Sequence, residues 1–138
     1  MNKELAMKKF EDALINHKSE FEKFFLVRFF DLKFTYDDET CTVEVPVEDY
    51  MYNPFGSLHG GIISFILDAS MGHLCNKKIG AAVTLELKTQ YLKPVKSGTI
   101  KCQASFLKQG RKIVSLESRM TDEAGDLIAI GTATWMRV

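Results

Sequence analysis

The sequence predicts an α+β fold in which a curved antiparallel sheet wraps around one long central helix, with an extra N-terminal helix. Three observations carry this. The stretch from Leu58 to about Asn76 holds Ile62, Ile63, Phe65, Ile66, Leu67, Ala69, Met71 and Leu74. It is apolar nearly all the way round, as a helix buried on most sides must be. Four strand-like runs follow it, at Ala82–Leu92, Thr99–Lys108, Lys112–Thr121 and Leu127–Arg137. Their separators carry turn chemistry: Pro94 and Gly98, then Gln109-Gly110-Arg111, then Asp122-Glu123-Ala124-Gly125. A run of strands after one apolar helix makes a meander that must cover that helix.

From the N-terminus, Leu5, Phe10, Ala13 and Leu14 recur at helical spacing among Lys and Glu, predicting an amphipathic helix from Lys3 to about His17. The aromatic stretch Phe21–Phe34 fits either a helical turn or a strand, with a strand placed near Asp31–Tyr36. Asp37-Asp38-Glu39 then reads as a turn. Thr40–Val47 alternates Cys41, Val43, Val45 and Val47 against Thr42, Glu44 and Pro46, the signature of a half-buried strand. These two strands form a hairpin.

A chain of 138 residues suits a single domain with one core, residues 1–138. Lys plus Arg equals Asp plus Glu, 18 against 18, so no global basic field draws nucleic acid. The three cysteines, Cys41, Cys75 and Cys102, are widely spaced and contain no C-x-x-C pair, which points to buried reduced thiols. No metal-ligand cluster accompanies the histidines, so neither a metal nor another cofactor is expected. The charged opening segment lacks the apolar core of a signal peptide, and no apolar run reaches membrane-spanning length. A cytoplasmic protein without membrane association is expected.

The chemistry concentrates in Asn53-Pro54-Phe55-Gly56-Ser57-Leu58-His59-Gly60-Gly61, followed along the helix by Asp68. Two glycines at the mouth of a helix allow close approach to the backbone, and first-turn N–H groups favour negative charge there. Such donors stabilise the oxyanion of an acyl-transfer intermediate. Asp68 is the only acid between Leu58 and Asn76, and a carboxylate among Ile66, Leu67 and Ala69 needs a reason to be there. Gly61, Ser64, Asp68 and Gly72 form a stripe of small residues around it. Asp68 lies eight residues beyond Gly60, about 12 Å along a helix axis. One carboxylate therefore cannot reach a carbonyl held at its own helix's N-terminus. A two-fold dimer with antiparallel helices solves this by presenting Asp68 of one subunit to Gly60 of the other.

These residues, with Thr84-Leu85-Glu86-Leu87-Lys88-Thr89-Gln90-Tyr91-Leu92-Lys93-Pro94 and the closing Ala129–Trp135 segment, resemble the hotdog-fold acyl-CoA thioesterases, in particular the phenylacetate-pathway type and its relatives. The resemblance implies a hotdog fold and an acyl-coenzyme A substrate. It implies that Asn53 and the Gly60 N–H hold the thioester carbonyl, with His59 supporting the loop and Gly61 beside it. It implies further that Asp68 and Thr84 of the partner subunit hold and activate water. Whether such an aspartate acts as general base or direct nucleophile differs among relatives.

For the coenzyme's phosphates, the Lys108-Gln109-Gly110-Arg111-Lys112 loop offers three cations beside a turn glycine. The same cations would otherwise form a solvated hairpin tip. His73 reads as a satisfied core or interface histidine. Phe24, Phe25, Phe29, Phe30 and Phe34 either line an acyl pocket or belong to the core. A homodimer is required for the site, and a dimer of dimers would extend it to a tetramer. Two rival readings share the fold. A non-catalytic acyl-CoA sensor would need a DNA-binding element that the N-terminal helix does not supply. A hydratase or dehydratase would need His59 or His73 at the reacting carbons.

Overall fold

The computed structural model describes residues Met1–Val138. Helix α1 spans Lys3–Asn16, and the Asn2 side chain caps it by accepting the Leu5 N–H at 3.0 Å. The aromatic stretch resolves into a short helix, α2, Phe25–Phe29, followed by strand β1, Lys33–Tyr36. Period alone leaves this segment open, and tertiary packing decides it. Phe25 and Phe29 turn toward Phe10 of α1, with ring centroids 5.9 and 6.4 Å away. Phe30 meets Phe65 of the central helix at 5.8 Å. Phe24, Phe30 and Phe34 thus pack against the core.

Strand β2, Thr40–Pro46, pairs with β1 from Lys33↔Glu44 to Tyr36↔Cys41. Its alternation is as expected, with Cys41, Val43 and Val45 fully buried. The central helix α3 spans Gly60–Lys78 and buries Ile66, Leu67, Met71, Leu74 and Cys75 completely. Strands β3 (Ala82–Tyr91), β4 (Thr99–Gln109), β5 (Ile113–Thr121) and β6 (Leu127–Arg137) follow. All three cysteines are buried and unpaired.

The six strands form one antiparallel sheet in the order β1-β2-β4-β5-β6-β3. The expected four-strand meander is therefore only β4-β5-β6. Strand β3 leaves the sequential order and pairs with β6, while β2 takes the place beside β4. The Leu92–Gly98 connection explains this, because it is too long for a tight hairpin and carries Pro94, which cannot continue a ladder. The result puts β3 at the sheet's edge, with one side unpaired. Val83 is 44% and Leu85 52% exposed there, and a bulge falls between Thr84 and Glu86.

Helix α3 runs antiparallel to β3, and their side chains meet in order. Gly60 touches Tyr91, Ser64 bonds Thr89, and Asp68 bonds Thr84. One turn further, Gly72 faces Trp135 of β6, where an added Cβ would come 2.7 Å from the indole. His73 is buried under the N-terminal segment. Its Nδ1 donates to the Ala69 carbonyl at 2.7 Å, its Nε2 accepts the Glu22 N–H at 3.0 Å, and Phe34 stacks on the ring at 3.9 Å. It is a core histidine with both nitrogens satisfied. No helix is long and apolar enough to cross a membrane.

Candidate active site

The loop before α3 is built around Asn53. Its Oδ1 accepts the Phe55 N–H at 2.9 Å, its backbone N–H donates to the Ser57 carbonyl at 2.8 Å, and Gly56 at φ 79° closes the turn. The loop is tied to its neighbours by Leu58 N–H to the Val95 carbonyl at 2.8 Å and His59 N–H to the Met51 carbonyl at 2.9 Å. Asn53 Nδ2 donates to Ser57 Oγ at 3.1 Å. An amide nitrogen carries two protons, so one remains for a ligand.

His59 caps α3. Its Nδ1 accepts the Gly61 N–H at 2.8 Å, and its carbonyl accepts from Ile62 at 3.0 Å and Ile63 at 3.1 Å. The bonded tautomer therefore carries its proton on Nε2. These bonds remove Gly61 from the set of free first-turn donors. The Gly60 N–H has no acceptor within the chain. Gly60 lines a cleft of about 320 Å³ together with Asn53, Tyr91, Leu92 and Lys93. Lys93 is not free to bind a ligand's charge. Hydrogen bonds to Asp122 at 2.8 Å and Asp126 at 2.6 Å hold its ammonium and push its pKa up to about 12.

Asp68 lies two turns along α3, half-buried, and its Oδ1 accepts from Thr84 Oγ1 at 2.8 Å. Burial raises its pKa above the ordinary carboxylate value, and the Thr84 hydroxyl partly offsets that by stabilising the charged form. The two halves of the constellation stay apart within one chain. Gly60 meets β3 at Tyr91 and Asp68 meets it at Thr84, a separation of roughly 20 Å of strand. The structure thus groups Asn53, His59, Gly60 and Gly61 at one end of α3, and Asp68 with Thr84 elsewhere.

Lys108, Arg111 and Lys112 lie exposed at the β4–β5 tip and form no ion pair. The tip shares the Thr84 end of the sheet, because Arg137 pairs with Ala82 and its N–H donates to the Lys112 carbonyl at 2.9 Å. Two further residues, Ser57 within the loop motif and Tyr91 at the end of β3, belong to the cleft. Ser57 anchors the Asn53 amide, and Tyr91 stands beside Gly60 although it is 31 residues away in sequence.

Comparison with known proteins places the chain in a class. Residues 55–129 match the thioesterase superfamily. A putative esterase of Bacillus subtilis, ComA2, is 35% identical over 100 residues, covering 70% of this chain and 79% of the relative. Human acyl-coenzyme A thioesterase 13 is 34% identical over 95 residues, covering 66% of this chain and 68% of the relative. A Bacillus halodurans protein solved with CoA superposes with a TM-score of 0.87 at 24% identity, covering 99% of this chain and 92% of that one.

The chain belongs to the thioesterase superfamily and has the hotdog fold that the sequence predicts, a sheet wrapped around α3. Its class of chemistry is thioester hydrolysis.

Proposed function

We propose that the protein hydrolyses acyl-coenzyme A to a carboxylic acid and free coenzyme at a site shared by two subunits. The observation that carries this is the split between an unpartnered donor, the Gly60 N–H, and a half-buried acid, Asp68, held apart on one helix. A two-fold axis beside β3 joins them. The unpaired edge of β3, with Val83 and Leu85 exposed, suits a second copy adding its own β3.

In the joined site the Asn53 amide and the Gly60 N–H bind the thioester oxygen. Asp68 of the partner subunit takes a proton from water as the water oxygen adds to the carbonyl carbon, and Thr84 of the partner subunit orients that carboxylate. Negative charge developing on the carbonyl oxygen falls on the two donors, each supplying about 3–4 kcal/mol when preorganised. The intermediate then collapses with cleavage of the C–S bond, and the proton held by the aspartate passes to the thiolate. Burial favours the base role, because a carboxylate with a raised pKa removes a proton more effectively.

The tip cations Lys108, Arg111 and Lys112 accompany Thr84 on the sheet, so each would reach the joined site from the same subunit as the base. Free of ion pairs, they suit the phosphates of coenzyme A. The three reduced thiols suit a cytoplasmic setting.

The test is release of coenzyme thiol from aryl, short, medium and long acyl-coenzyme A by chelator-treated protein. Turnover of at least one substrate is expected without added metal or nucleotide. A protein inert toward all of them is a binding module instead.

A further inference from the structure

Hydroxyl groups crowd the first turn of α3. The Tyr91 phenol donates to the Gly60 carbonyl at 3.1 Å and lies 2.6 Å from Ser64 Oγ. Ser64 Oγ is also 3.0 Å from Thr89 Oγ1, the next inward-facing residue of β3. The phenol ring sits against the backbone as well, since a Cβ built on Gly60 would come within 3.2 Å of Tyr91 Cε1.

The peptide between Gly60 and Gly61 is therefore held from both sides. Its N–H is bound by His59 Nδ1 at 2.8 Å and its carbonyl by the Tyr91 phenol. Consecutive glycines have the widest backbone freedom of any pair, so a preorganised donor here needs constraint from outside the pair. The preceding peptide carries the unpaired Gly60 N–H, and its own carbonyl is fixed by Ile62 and Ile63. With both peptide planes held, the Gly60 N–H is fixed in one direction, at a residue that lines the same cleft as Tyr91.

We propose that Tyr91 is a positioning residue for thioester hydrolysis: its phenol, backed by Ser64 and Thr89, clamps the Gly60 carbonyl so that the Gly60 N–H stays aimed at the thioester oxygen. This rests on the proposed function above. Oxyanion donors act only near hydrogen-bond distance of the developing charge, so a loosened turn lowers turnover more than substrate binding. The same strand carries Thr84, and β3 thus sets the orientation of both the donor and the base.

The test compares wild type, Tyr91→Phe, Ser64→Ala and the double variant by steady-state kinetics and by backbone amide NMR. Tyr91→Phe keeps the ring and removes the clamp. It is expected to lower kcat about tenfold, a fraction of the cost of deleting an oxyanion donor, with KM within about twofold. The Gly61 nitrogen resonance, which reports hydrogen bonding at the preceding carbonyl, is expected to move, and the pH profile to keep its wild-type midpoint because Asp68 is untouched. The double variant is expected to lose no more than Tyr91→Phe alone, since both changes act on one clamp. An active wild type with unchanged kcat in Tyr91→Phe overturns the clamp and leaves the proposed function standing. A rise in KM alone overturns it too, making Tyr91 a substrate contact. A wild type inert toward every thioester rejects the proposed function itself. Should Tyr91→Phe fail to fold, Ser64→Ala is read by the same measurements, and an unchanged kcat there overturns the proposal.

Discussion

Thr84 Oγ1 donates to Asp68 Oδ1 at 2.8 Å across the gap between α3 and the edge strand β3. The bond sets two opposing influences on one carboxylate. Burial favours its neutral form more strongly than the Thr84 hydroxyl favours its charged form, so the pKa ends above the ordinary 3.8. Removing the hydroxyl while keeping the shape leaves burial unopposed. Thr84→Val is expected to move the acid limb of the kcat/KM profile to higher pH than in wild type, and to lower the plateau. A pH–rate series on both proteins checks this, and an unmoved limb would mean that Asp68 is not the titrating base.

Asp68→Asn separates function from stability. With the water-activating base gone, turnover is expected to fall by about three orders of magnitude, with folding intact. A group whose folded pKa is raised contributes stability that is present below its unfolded pKa and lost as pH rises through the folded one. At pH 7 the charged Asp68 is therefore a cost, which asparagine removes. Asp68→Asn is expected to melt at a higher temperature than wild type at pH 7, with the difference closing as pH falls toward 3.8. Thermal melts across that range measure it.

His73 carries the opposite sign. Burial pushes its pKa below the ordinary 6.5, against the smaller effects of the Ala69 carbonyl and Glu22. Its neutral form contributes stability present above the unfolded pKa and lost as pH falls through the folded one. Protonation would also set an Nε2 proton against the Glu22 N–H that it now accepts. Wild type is expected to lose melting temperature between pH 7 and 5 more steeply than His73→Gln. The variant should be less stable at pH 7 by about 1–3 kcal/mol. Exposed carboxylates act alike in both proteins, so the difference in slope isolates this residue.

Gly72 is required by packing. A methyl group there would lie 2.7 Å from the ring of Trp135, the single tryptophan of the chain. Gly72→Ala is expected to cost about 1–3 kcal/mol by overpacking and to shift the tryptophan fluorescence. Unchanged emission and stability would mean that the helix and β6 are less tightly packed than the structure has them.

Much of the fold was legible because it is local. The alternation at Cys41, Val43 and Val45 marks β2, the unbroken apolar run marks α3, and the turn residues mark the gaps between β4, β5 and β6. The position of β3 beyond β6 was not legible, since strand pairing depends on how the whole sheet closes over α3. The Phe25–Phe29 segment reads equally as helical turn or strand for the same reason, since Phe10 decides its form from a distance. At the site, Gly60 and Asp68 stand out because each breaks the expectation for its helix. Tyr91 breaks none: an aromatic residue ending a strand is ordinary, and only the folded chain brings its phenol to the Gly60 carbonyl. The stripe Gly61, Ser64, Asp68 and Gly72 likewise turns out to hold four separate reasons: a cap contact with His59, a hydroxyl network, an acid, and room for an indole.

The proposed shared site stands or falls on mixed dimers. Asn53→Ala disables the donor half and Asp68→Asn the carboxylate half, so each homodimer is expected to have two impaired sites. A heterodimer formed by co-expression carries one site with both defects and one with neither. The measurement is acyl-coenzyme A turnover by heterodimers whose composition is verified by mass spectrometry. Activity well above both parents, approaching half that of wild type, is the expected result. Heterodimers no more active than the average of the two parents would mean that donor and carboxylate serve the same chain, contradicting the shared site.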